Sequence, residues 1–188
     1  MGDNIIEDLG PLKFLVGVWE GGTGDDTAPG DDRGMEKNRY RERMVLDPFK
    51  PVKNHEQILC GLRYFTQAWR LGEPDPFHDE VGYWIWDAKA KQVMKCLVIP
   101  RGMSIVAGGE AEENSKSFKL TAELGSKTFG ICSNPFLDLE FQTVGFELEM
   151  VFNGDGGFSY SQNTKIKMKG QPKIFEHRDK NTLKLLKR

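Results

Sequence analysis

The side chains with reactive chemistry are few and scattered. Three histidines (His55, His78, His177) and three cysteines (Cys60, Cys96, Cys132) are spread over 188 residues. The cysteines form no CxxC pair, and no His/Cys group has the spacing of a zinc site. There is no nucleophile elbow and no convincing triad, so hydrolase chemistry is not expected. Gly22–Gly24 is not a phosphate loop, because it lacks the Lys-Ser/Thr and the helix that follow one.

Five residues stand out as candidates for holding a ligand. His177 sits among Glu176, Arg178 and Asp179, a charged setting usual for a surface residue. His78 lies between Phe77 and Asp79-Glu80. It reads either as a rim residue paired with a carboxylate or as a cavity residue bonding a ligand. Arg101, in Pro100-Arg101-Gly102, reads as a hairpin tip facing solvent. If the turn falls elsewhere, alternation with Ile99 and Met103 points it inward, where a ligand carboxylate would hold it. Met150 and Met168 lie on inward faces and serve either as ordinary core or as cavity lining.

Positioning these residues requires strands. Residues 5–16 predict a short helix, with Pro11 at a first helical position and Leu12, Leu15 and Val16 on one face. From residue 38 the period is two. Tyr40, Met44 and Leu46 share one face of 38–47, and Arg39, Arg41 and Arg43 the other. Extended runs follow at 55–70, 77–87, 93–99, 103–107 and 117–122. In 143–152, Val144, Phe146, Leu148, Met150 and Phe152 alternate with polar or small residues. Asn153-Gly154-Asp155-Gly156-Gly157 then marks a turn, and the alternation resumes over 158–168. A last segment covers 182–186.

The pattern predicts an all-β fold. It is a single antiparallel up-and-down β-barrel of about ten strands, in one domain over 1–188, with the short helix capping one end. Trp19 is expected to close that end. The stretches 22–36 and 126–141 are expected to be loops. Gln162 and Thr164 fall on an inward face, which suits a hollow interior as well as it suits two side chains bonded to each other.

Net charge is −2, from 26 basic and 28 acidic residues, so no nucleic-acid footprint is expected. The longest apolar run, over 12–19, is too short to span a bilayer. Met1–Asp8 has neither the basic start nor the cleavage site of a leader. A cytoplasmic protein with free thiols is expected, and a homodimer is left open.

Three segments together resemble one family. Gly17-Val-Trp19-Glu-Gly21-Gly-Thr-Gly24 is similar to the GxWxGxG signature of the nitrobindin-like, haem-binding β-barrels. These share a fatty-acid-binding-protein-like, lipocalin-like architecture. Phe77-His78-Asp-Glu80-Val-Gly82-Tyr83 is similar to the HxExGY segment of that family. The tail from Met168 through Gln171-Pro172 to His177 and Asn181-Thr182-Leu183 is similar to its terminal segment. The resemblance implies haem b bound through His177 as the metal ligand, with His78 in the same cavity. An open sixth site would take nitric oxide or peroxynitrite, and peroxynitrite isomerisation is the activity this suggests. One departure is the acidic DDTAPGDDRG after Gly24, since carboxylates near haem propionates repel. The expected function is therefore to hold a small hydrophobic ligand, haem first. A non-haem carrier or sensor of a fatty-acid-like ligand is the alternative.

Overall fold

The computed structural model describes residues 5–188, so the start of the acidic opening segment, residues 1–4, lies outside the described residues. A 3₁₀ segment, Glu7–Leu15, precedes eleven strands. These are β1 (Gly17–Pro29), β2 (Met35–Asn54), β3 (Gln57–Arg70), β4 (His78–Asp87), β5 (Gln92–Ile99) and β6 (Met103–Glu110). They continue with β7 (Ser117–Leu124), β8 (Gly130–Ser133), β9 (Phe141–Phe152), β10 (Phe158–Met168) and β11 (Phe175–Lys187). A short helix, α1 (Pro135–Glu140), joins β8 to β9.

The strands close into a barrel in the order β1-β11-β10-β9-β7-β8-β6-β5-β4-β3-β2. Closure comes from β1 pairing antiparallel with β11, from Val18 opposite Lys187 to Thr27 opposite Arg178. The fold is all-β, as expected, but it is not a ten-stranded up-and-down meander. Strand β8 inserts beside β6 and runs parallel to β7, with Glu123 opposite Gly130 and Leu124 opposite Ile131. Both β8 and α1 lie in the stretch expected to be a loop. Four residues with one inward apolar side chain, Ile131, carry no period to read.

The 22–36 loop is also corrected, because β1 runs on to Pro29. Its Gly- and Asp-rich sequence is a poor strand former, but it is paired on both sides by β2 and β11. Two neighbours override propensity here. Gly24 has a steric role, since a Cβ there would run into the Tyr40 ring.

Leu9, Leu12 and Leu15 have no exposed surface and plug one end of the barrel. Trp19 closes that end as expected. Its Nε1 donates to the Leu15 carbonyl at 2.7 Å, and its ring meets Phe158 edge-on at 4.9 Å. The expected helix is instead 3₁₀ and kinked at Gly10, where φ is 55° and ψ is −130°. Pro11 then starts a second turn without needing an N–H.

Alternation holds along β10, where Phe158, Thr164, Ile166 and Met168 are buried. In β9 it slips. A bulge opposite Lys165/Ile166 pairs Ile166 with Thr143 and Lys165 with Gly145. Thr143 therefore turns inward where Val144 was expected.

The kink makes one substitution costly. An alanine at Gly10 would sit in a glycine-only backbone region with its Cβ 2.5 Å from the Trp86 ring. Gly10→Ala is expected to lose about 2–4 kcal/mol of unfolding free energy in chemical denaturation.

Candidate functional site

The half of the barrel away from the Trp19 plug is lined by ionisable side chains, all placed by the period of two. On β2 the inward positions are Tyr40, Glu42, Met44 and Leu46. Glu42 lies between two residues read as inward from the sequence, and the same parity places it inside. Inward side chains from β1 (Asp26), β4 (Glu80), β5 (Lys95), β10 (Tyr160) and β11 (His177, Asp179) join it around one cavity.

Three hydrogen-bonded groups form this wall. In the first, Glu42 accepts from Thr66 Oγ1 at 2.9 Å, Tyr160 OH at 2.9 Å and Asn181 Nδ2 at 3.0 Å. Tyr160 OH is also 2.8 Å from Tyr40 OH and 3.4 Å from Asp179 Oδ2. Tyr40 donates to the other Asp179 oxygen. Burial raises the Glu42 pKa against these hydrogen bonds. Burial, and then the neighbouring Glu42, push Asp179 up to about 7. Burial and the Asp179 charge raise Tyr40 and Tyr160 far above the usual phenol range, so both remain neutral.

The second group centres on Glu80, which is 5% exposed. It accepts from Tyr64 OH at 2.6 Å and pairs with Lys95 Nζ at 2.9 Å, while His78 Nε2 stands 3.6 Å away. Burial works against its charge, but Lys95 and His78 outweigh it and hold the carboxyl well below the usual range. Burial likewise opposes protonation of His78, and Glu80 reverses this and raises its pKa. Lys95 Nζ lies 5.5 Å from the Trp84 ring centroid. In the third group, His177 Nε2 is 2.8 Å from Asp26 Oδ1, and Asp26 also accepts from Asn38 Nδ2 at 3.3 Å.

The cavity enclosed by these groups has a volume of about 80 Å³. His177, His78 and Met150 line it. Met168 is buried in the wall but does not reach the cavity. Arg101 is exposed on the β5–β6 turn, where its carbonyl accepts from Asn134 Nδ2 at 2.6 Å. The turn falls where the sequence places it, so the Arg101 side chain stays outside. Gln162 lines the cavity and Thr164 is buried beside it on β10. The sequence reading missed Asp26, Glu42, Lys95, Tyr160 and Asp179 as a group. Inward parity was the available signal for four of them, and the expected loop hid Asp26.

The profile of a family described as THAP4-like, heme-binding beta-barrel domain matches residues 8–185. The chain belongs to this family. The nitrobindin-like resemblance carried by the three sequence segments therefore holds. A peroxynitrite isomerase of Clavibacter michiganensis subsp. michiganensis is 35% identical over 79 residues, covering 41% of this chain and 35% of that protein. The matched segment is thus about a third of the relative's length. The crystal structure of Rv2717c from M. tuberculosis superposes with a TM-score of 0.65 at 20% identity, covering 95% of this chain and 96% of that one. At that identity the likeness speaks to the fold. Among the described residues no helix is long and apolar enough to cross a membrane.

Two predictions follow from the charges inside this family barrel. Lys95→Met strands a buried carboxylate and should lower the unfolding free energy at neutral pH by about 3–5 kcal/mol. Adding Glu80→Gln should recover part of that loss in the same denaturation assay. Asp179 acts in the opposite sense to a salt-bridged acid. Between its ordinary value of 3.8 and about 7, the folded state holds a proton that the unfolded state has released. Stability should therefore fall as pH rises through that window, by on the order of 4 kcal/mol at most. In Asp179→Asn, thermal unfolding at a series of pH values should show that part of the slope removed.

Proposed function

We propose that this barrel holds a small, polar ligand in the pocket bounded by Glu42, His78, Tyr160 and Asp179, and that the pocket is not used for haem. The cavity volume carries this reading. About 80 Å³ is well below the roughly 300–1,000 Å³ of pockets that take drug-sized ligands, and a porphyrin needs space of that order. The wall chemistry agrees. Haem brings two carboxylates, and this lumen meets them with Asp26, Glu42, Glu80 and Asp179, while Lys95 is already paired with Glu80. A fatty-acid headgroup meets the same carboxylates and, among the described residues lining the cavity, finds no lysine or arginine that is not already paired.

One observation favours the second reading, haem b held by His177 with an open sixth site for nitric oxide or peroxynitrite. A carboxylate on one ring nitrogen, as Asp26 sits on His177, is the arrangement that orients many metal-ligating histidines. That reading requires the lumen side chains to make room for a porphyrin. Titration of the purified protein with hemin separates the two. The expected outcome is a spectrum that remains that of free hemin, identical for wild type and His177→Ala. A one-to-one complex with a shifted Soret band that is lost in His177→Ala would replace the polar-ligand reading with the haem one.

A further inference from the structure

Resting on the polar-ligand reading, we infer that the pocket is a site for a small organic cation, a protonated primary amine that also carries a hydrogen-bond-accepting oxygen. Two independent features point to the two ends of such a molecule. The first is an uncompensated set of carboxyl groups. Lys95 is matched by Glu80 at 2.9 Å and Asp26 faces His177 at 2.8 Å, which leaves Glu42 and Asp179 on the same cavity wall with no lysine or arginine partner among the described residues. An ammonium group supplies both the missing charge and up to three N–H donors.

The second feature is the indole of Trp84. It is 2% exposed and lines the cavity, yet its Nε1 is a buried polar atom with no partner among the described residues. An indole N–H only donates, and a buried donor left unmade costs about 1–3 kcal/mol. A ligand oxygen is what it lacks. Lys95 Nζ, lying over the same ring, makes that side of the pocket favourable to an acceptor. Phe77 and Tyr40 also line the cavity, with ring centroids 5.9 Å apart, and aromatic faces favour a cation. The small volume limits the ligand to a handful of heavy atoms, and a short amino alcohol meets every one of these constraints.

Isothermal titration calorimetry of the full chain with ethanolamine, ethylamine, ethylene glycol and glycolate at neutral pH tests this. Ethanolamine should bind. Ethylamine, lacking the oxygen, should bind more weakly, and the neutral and anionic probes should give no heat. Asp179→Asn removes one carboxyl group from the wall and should weaken ethanolamine about tenfold. Trp84→Phe keeps the ring but removes the donor. It should erase the preference for ethanolamine over ethylamine, and it decides the matter if Asp179→Asn does not fold. Binding of ethylene glycol in preference to ethanolamine would overturn the cation while leaving the polar pocket standing, and so would the absence of any ethanolamine heat. A Soret-shifted hemin complex would remove both.

Discussion

Glu42 and Asp179 approach the same tyrosine hydroxyl inside a closed barrel, with Tyr160 OH 2.9 Å from one carboxylate and 3.4 Å from the other. Two carboxyl groups this close and this far from bulk water resist carrying charge together, so a proton is retained between them. The tyrosines supply the hydrogen bonds that make such burial tolerable, and Thr66 and Asn181 complete the set around Glu42. Each of these six residues comes from β2, β3, β10 or β11. The cluster therefore ties the seam where the barrel closes on itself, and it depends on that closure being in register.

The rest of the molecule divides around this constraint. The end plugged by Leu9, Leu12, Leu15 and Trp19 is packed with apolar side chains, and the Trp19 indole N–H is satisfied on a backbone carbonyl. It supplies the stability that a polar interior does not, because buried ion pairs such as Lys95–Glu80 return little net energy even when well formed. The opposite half exchanges packing for chemistry. Its side chains fix proton positions and line a small space. On the proposed reading, the scaffold of a haem-binding family hosts a different kind of pocket, because the walls and not the barrel decide what fits.

Much of this was legible in the sequence. The period of two gave the strands and correctly turned Tyr40, Met44, Leu46, Phe146, Leu148 and Met150 inward. The GxWxGxG, HxExGY and terminal segments placed the chain in its family. What stayed hidden was polar and inward. Glu42, Lys95 and Asp179 occupy inward positions in otherwise readable strands, but a charged residue in an alternating run is taken for a solvent-facing one unless its partner is known. Those partners lie on strands far apart in sequence, such as Glu42 and Asn181, and no local pattern pairs them. Asp26 was obscured for a different reason, because its segment is a strand only through the neighbours that flank it. The bulge that moves Thr143 inward and Val144 out is likewise a property of the β9–β10 pair and not of either sequence alone.

The side-chain carboxyl carbon of Asp179, followed by NMR against pH in the ligand-free protein, reports the shared proton most directly. The account predicts an apparent midpoint near 7, well above the ordinary 3.8. A midpoint close to the ordinary value would mean that this carboxyl is bathed in water or matched by a cation, and that the lumen is not the proton-sharing space described.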